Sequence, residues 1–180
     1  MIGPELSEKG NKFSYKLMIS NDFSADSDVI HLQDFGKFPT SLSSIQDWVG
    51  QNSTNINPSN KIQVITIGRM YCNYCLDLYP YLNLMNQRYG NDIVVAGILY
   101  EKYPGELDRE KIQKHIEDNA IGFPIGLDPD SNFVHSLGEE FVPVTYVIDK
   151  NGIIVLHQVG LGNFDRIDDV LQVLVKKEKK

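Results

Sequence analysis

Two cysteines stand two residues apart in Cys72-Asn73-Tyr74-Cys75, and the 180-residue chain has no others. A thiol pair at this spacing can exchange disulfides, hold a soft metal ion, or serve neither purpose. A helix-like stretch follows the pair at once, and positions i and i+3 are neighbours on a helix. Both sulfurs of such a pair lie on nearly one side of the helix N-terminus. The first then faces unpaired backbone N–H groups and the positive end of the helix dipole. That setting favours thiolate over thiol, and thiolate is the form that attacks a disulfide. The spacing therefore points to a redox-active dithiol.

Metal binding is the main reading from another class. A structural zinc site takes four ligands. There is no second cysteine pair, and His31, His115, His135 and His157 are scattered along the chain. Copper(I) can use two sulfurs and a histidine, with His135 as the candidate third ligand. A third reading is a binding domain that keeps the cysteines without using them.

The elements that must position the sulfurs can be read on either side. Lys61–Ile67 is rich in β-branched residues, as expected of a buried central strand. Cys72–Tyr89 reads as a helix, with Leu78, Leu82 and Met85 at helical spacing, a kink expected at Pro80 and Gly90 closing it. Ile93–Leu99 is a second buried strand, and Tyr103-Pro104-Gly105 a turn. Asp108–Asn119 is an amphipathic helix capped by Asp108. After a short extended piece at Phe123–Ile125 and a short helix at Asp130–Leu137 comes a hairpin. Its strands are Val142–Ile148 and Ile153–Val159, and Asn151-Gly152 is expected to supply positive φ angles at the turn. Asn163–Lys177 is a last amphipathic helix.

Upstream, Ser41–Val49 places Leu42, Ile45, Trp48 and Val49 at helical spacing, which predicts a helix with Trp48 anchored in the core. Residues 1–28 read as a polar lead-in with an edge strand near Tyr15–Ile19, and Val29–Leu32 as a short strand. The expected organisation is one domain over residues 29–180. Alternating strands and helices predict an α/β fold, a mixed sheet with helices on both faces.

Composition narrows the partners. Hydrophobic residues make up 42% of the chain, enough for an ordinary core, and the formal net charge is −7. With no long basic stretch, nucleic acid is not an expected partner. No segment reaches the ~18 apolar residues of a membrane span, and the N-terminus lacks the charged start and apolar block of a signal peptide.

In this order the chain resembles the thioredoxin superfamily, and within it the TlpA/ResA/DsbE-like thiol–disulfide oxidoreductases. The residues that carry the resemblance are the apolar strand, Tyr71 before the Cys72/Cys75 pair, Pro80, Phe123-Pro124, Asp128, and Val142-Pro143-Val144-Thr145-Tyr146-Val147-Ile148-Asp149 with Gly152 and Gly160 after it. The match covers roughly residues 29–175. It implies a thioredoxin-like fold in which Cys72 attacks, Cys75 resolves, and no cofactor is needed beyond a redox-active Cys72–Cys75 disulfide. It also implies a cis peptide bond before Pro143, with Tyr71, Val142 and Pro143 receiving the substrate. The partners implied are protein thiols or disulfides and a redox partner protein, in an extracytoplasmic or periplasmic setting. A similar domain also precedes NHL repeats in larger proteins.

The chain departs from the family at three points. Tyr71 replaces the usual Trp, and Asn73-Tyr74 replaces the Gly-Pro that tunes the thioredoxin potential. Thr66 stands where thioredoxin buries an Asp, so the proton acceptor for Cys75 must come from elsewhere, with water, Glu139 and Glu140 as candidates. Arg69 is a candidate modulator of Cys72. It also occupies the position where a peroxiredoxin needs Thr or Ser three residues before its cysteine, which argues against a peroxidase of that type.

Overall fold

The structure is a computed structural model and describes residues 35–53, 56 and 58–178. The expected lead-in, its edge strand at Tyr15–Ile19 and the strand at Val29–Leu32 lie outside these residues. Ten regular elements run in the order β1 (Asp47–Val49), β2 (Ile62–Gly68), α1 (Asn73–Tyr89), β3 (Ile93–Tyr100), α2 (Arg109–Asp118), β4 (Ile125–Asp128), α3 (Asn132–Leu137), β5 (Val144–Ile148), β6 (Ile154–Val159) and α4 (Phe164–Glu178), with short 3-10 turns at Leu42–Ser44 and Gly90–Asp92.

The strands form one mixed sheet in the order β1-β4-β3-β2-β5-β6. β2 pairs parallel with β3, and β3 with β4; β5 runs antiparallel to both β2 and β6. β2 is central and buried along nearly its whole length because helices and loops cover both of its faces. Val64, Val95, Val147 and Leu156 meet Leu78 and Leu82 of α1, Ile112 of α2 and Val170 and Leu171 of α4 on one side. Ile65, Ile67, Ile98 and Tyr146 meet Phe133 and Val134 of α3, with Leu42 and Ile45, on the other. The expected thioredoxin-like layering is present.

The segment before β2 differs from its expectation. Leu42–Ser44 is only a 3-10 turn, with Ser41 accepting from the Ser43 N–H at its start, and Asp47–Val49 is a strand. β1 runs antiparallel to β4, with Trp48 opposite Gly126. A Cβ on Gly126 would sit 3.0 Å from Trp48 Cη2 and 2.9 Å from Ile45 Cγ2, so the bare glycine is what lets both side chains lie against β4. Trp48 is half-buried, and its indole N–H donates to the Ile45 carbonyl at 3.1 Å.

Three local details complete the fold. α1 continues through Pro80, leaving the Leu76 carbonyl without its helical donor. At the β5–β6 turn only Gly152 takes positive φ, not Asn151. The Asp149 carboxylate accepts the N–H groups of Asn151 and Ile153 and closes the turn instead. Asp128, buried at the end of β4, accepts from the N–H groups of Phe133 and Val134 and caps α3.

Candidate active site

Cys72 and Cys75 sit where β2 hands over to α1. β2 ends at Gly68, three residues of connection follow, and Cys72 is the N-cap of the helix in extended conformation. The sulfurs are joined in a disulfide, with the two Cα atoms 5.2 Å apart. Cys72 Sγ also accepts the backbone N–H of Cys75 at 3.2 Å, a helix-terminal donor shared with the Cys72 carbonyl at 3.0 Å. Cys72 is half-buried, whereas Cys75 is 1% exposed. The asymmetry follows from the helix: its first residue faces outward and the next turn faces the sheet.

Gly68 lies directly beneath the inner sulfur. A Cβ there would stand 3.1 Å from Cys75 Sγ, so the strand end must be bare for Cys75 to turn inward. Thr66, two residues back, shares this face by strand alternation. Thr66 pairs with Thr145 of β5, which in turn pairs with Gln158 of β6. All three are buried. The Thr145 hydroxyl has no hydrogen-bond partner among the described residues, while the Gln158 amide donates to the Leu161 carbonyl at 2.7 Å. A row of neutral polar side chains thus occupies the sheet where the resemblance places a buried acid. Thr145, Gln158 and Gly68 escaped the sequence reading; only strand register, which is not local, could have found the first two.

Glu139 is not brought to Cys75. Its carboxylate lies on the α3 side, hydrogen-bonded by the Tyr146 hydroxyl and by His157 Nε2 at 2.8 Å, with the His157 ring stacked on Tyr146. Burial alone would raise its pKa, but the hydrogen bonds from His157 and Tyr146 outweigh that and hold it below the ordinary value. Glu140 is exposed. Among the described residues no three His, Cys, Asp or Glu side chains converge as metal ligands, and His135 lies exposed on α3, which packs on the sheet face opposite α1.

The peptide bond from Val142 to Pro143 is cis, as the resemblance implies. The Gly160 N–H donates to the Pro143 carbonyl at 2.7 Å and ties this loop to the end of β6. Val142 and Cys72 line a common cavity of about 580 Å³, together with Tyr71, Tyr74, Arg69 and Lys102. Tyr71 is 73% exposed at its rim. The cavity therefore gathers Cys72, Tyr71, Val142 and Arg69 from the sequence reading and adds Lys102. A larger concavity, about 1300 Å³, lies between β1 and α2 and contains neither cysteine.

Comparison with known proteins agrees with this geometry. The AhpC/TSA family model matches residues 41–157. The thiol-disulfide oxidoreductase YkuV of Bacillus subtilis is 28% identical over 108 residues, spanning 59% of this chain and 73% of that protein. The chloroplastic protein SUPPRESSOR OF QUENCHING 1 of Arabidopsis thaliana is 23% identical over 138 residues, 75% of this chain but only 13% of that much longer protein. Among solved structures, a thiol-disulfide isomerase from Corynebacterium glutamicum superposes with a TM-score of 0.63 at 20% identity, covering 72% of this chain and 91% of its own. With the helix-capping disulfide in place, these likenesses bear out the resemblance drawn from the sequence: the chain belongs to the AhpC/TSA family and is a thioredoxin-like thiol–disulfide oxidoreductase.

Proposed function

We propose that Cys72 is the attacking sulfur and Cys75 the resolving one, and that the substrates are disulfides or dithiols of other proteins. The observation that carries this is the pairing of an N–H donor on Cys72 Sγ with the near-complete burial of Cys75. In the reductive direction the Cys72 thiolate attacks one substrate sulfur, the substrate S–S bond breaks, and the expelled thiolate takes up a proton. Cys75 then loses its proton and attacks Cys72 Sγ, which releases the second substrate sulfur and leaves the Cys72–Cys75 disulfide. Two electrons pass from the dithiol to the substrate, and the reverse sequence oxidises a substrate dithiol. The protein's own sulfurs carry both electrons, so the exchange needs no cofactor.

Tyr71 and the Val142–Pro143 segment receive the substrate chain. Beside Cys72, the Val142 backbone is placed to pair with an extended segment while sulfurs exchange. Arg69 favours the Cys72 thiolate by its charge. The buried Thr66 neighbourhood, not Glu139 or Glu140, lies on the side from which Cys75 gives up its proton. A separate redox protein restores the starting state, and the resemblance favours an extracytoplasmic compartment.

The test is trapping. Cys75→Ser should accumulate a mixed disulfide between Cys72 and a substrate protein, and Cys72→Ser should lose insulin reduction. A Cys72→Ser variant as active as the parent would sink the assignment. Titration against glutathione then separates a reductant from an oxidant.

A further inference from the structure

Two cations line the cavity beside Cys72, and neither forms an ion pair with a carboxylate among the described residues. Each is backed by an aromatic ring instead. Arg69 Cζ stands 5.5 Å from the centroid of Tyr100, and Lys102 Nζ stands 5.3 Å from that of Tyr103. A ring face steadies a cation without cancelling its charge.

The acids of the neighbouring loop are committed to its backbone. Glu101 accepts the N–H groups of Gly105 at 3.1 Å and Leu107 at 2.8 Å. Glu106 accepts those of Lys102 at 2.8 Å and Tyr103 at 3.3 Å. Glu106 also lines the cavity, and its carboxylate is the opposing charge there, shared between two donors. The residues around the opening thus carry two positive charges against one negative. Tyr71, Tyr74 and Tyr103 are 73%, 50% and 61% exposed around them. Exposed tyrosines offer broad, low-entropy contact area with a polar tip, a composition favoured in protein interfaces.

We propose that this cavity selects protein disulfides whose cysteine is flanked by an acidic residue, with Arg69 and Lys102 receiving the carboxylate and the tyrosines covering the adjoining segment. The proposal rests on the exchange reading above and adds which protein substrates exchange fastest. A guanidinium can grip a carboxylate with two parallel hydrogen bonds, and the ammonium adds a second point of charge. The chain as a whole carries a net charge of −7 and repels an acidic partner at long range. Selection must therefore act locally, within about 10 Å at ordinary salt.

The test uses three disulfide peptides that differ only in the residue beside the cysteine, Glu, Gln or Lys, each reduced in a single turnover by the dithiol form of the full chain. At low salt the Glu peptide should react roughly tenfold faster than the Lys peptide, with Gln between them. Salt at about 1 M, where the screening length is ~3 Å, should shrink that ratio. The double variant Arg69→Gln, Lys102→Gln should bring it close to one. Taking the ratio within each variant removes any change in Cys72 reactivity. Equal rates for the three peptides in the parent overturn the proposal, as does a ratio that persists in the double variant. Glutathione disulfide, acidic but lacking an extended protein backbone, should react more slowly than the Glu peptide; the opposite order assigns the cations to a small acidic disulfide and overturns the protein assignment. Failure of all three peptides to react sinks the exchange reading itself and this proposal with it.

Discussion

The backbone N–H of Cys75 donates to Cys72 Sγ across 3.2 Å, so the two cysteines are linked through the helix terminus as well as through their disulfide. The amide is one of the first N–H groups of α1 and divides its hydrogen bond between this sulfur and the Cys72 carbonyl at 3.0 Å. Once the disulfide is reduced, the same donor faces a sulfur able to carry negative charge, and a charge-assisted hydrogen bond is stronger than a neutral one. In the proposed exchange this prepares Cys72 to attack while Cys75 waits beneath it.

The first consequence is selective alkylation. In the reduced protein near neutral pH, iodoacetamide should label Cys72 at least ~10 times faster than Cys75, because reactivity follows thiolate content and access. Peptide mass spectrometry at short times reads the two sites separately. Equal labelling would mean that the burial of Cys75 does not distinguish the two thiols.

Gly68 offers a test of the inner sulfur. The methyl of Gly68→Ala would meet Cys75 Sγ at 3.1 Å and Cys75 Cβ at 3.6 Å. Overpacking of this size costs ~1 kcal/mol or more, which corresponds to a slowing of roughly fivefold if it falls on the resolving step. Quenched-flow samples should then show a longer-lived mixed disulfide at Cys72. Unchanged resolution would show that Cys75 moves aside freely.

Thr145 concerns the polar row under the site. Its hydroxyl is fully buried and has no partner among the described residues. A buried hydroxyl without a partner is destabilising, so Thr145→Val should leave stability unchanged or raise it by about 1 kcal/mol. Urea unfolding measures this directly. A loss of more than ~1 kcal/mol would mean that the hydroxyl is engaged in the folded protein.

The cluster of Glu139, His157 and Tyr146 predicts an acid dependence of stability. Burial raises the Glu139 pKa, yet the hydrogen bonds from His157 and Tyr146 leave it below its ordinary 4.5. A carboxyl more acidic folded than unfolded contributes its full stability above 4.5. That contribution is lost as pH falls through 4.5 towards the folded value. Glu139→Gln should therefore be less stable than the parent at neutral pH and lose less on acidification below pH 4.5. Parallel urea midpoints for the two proteins across that range would contradict the linkage.

Much of the site was legible because it is local. The dithiol, the strand that delivers it and the helix that carries it are contiguous in residues 61–89, and their apolar spacing has a single reading over that length. The segment from Leu42 to Val49 shows the limit. Three or four apolar residues in a short window suit a helix turn and a strand equally, and the decision was taken 78 residues away, where Gly126 leaves room for the Trp48 ring. Glu139 shows it again: proximity to Pro143 in sequence suggested the active site, but the chain carries its carboxylate to the α3 side of the sheet.

Chemistry that depends on the order of a few adjacent residues could be written in the chain alone: two sulfurs at helix spacing, the aromatic before them, and the Val-Pro pair ahead of the hairpin. Strand pairing decided the rest. It set Thr66, Thr145 and Gln158 in one row across three strands, and the loop after β3 brought Lys102 to the cavity that Cys72 lines. Thr66 and Thr145 are 79 positions apart and Cys72 and Lys102 are 30. Side-chain charge and packing act over a few ångströms of space, whatever the distance along the chain.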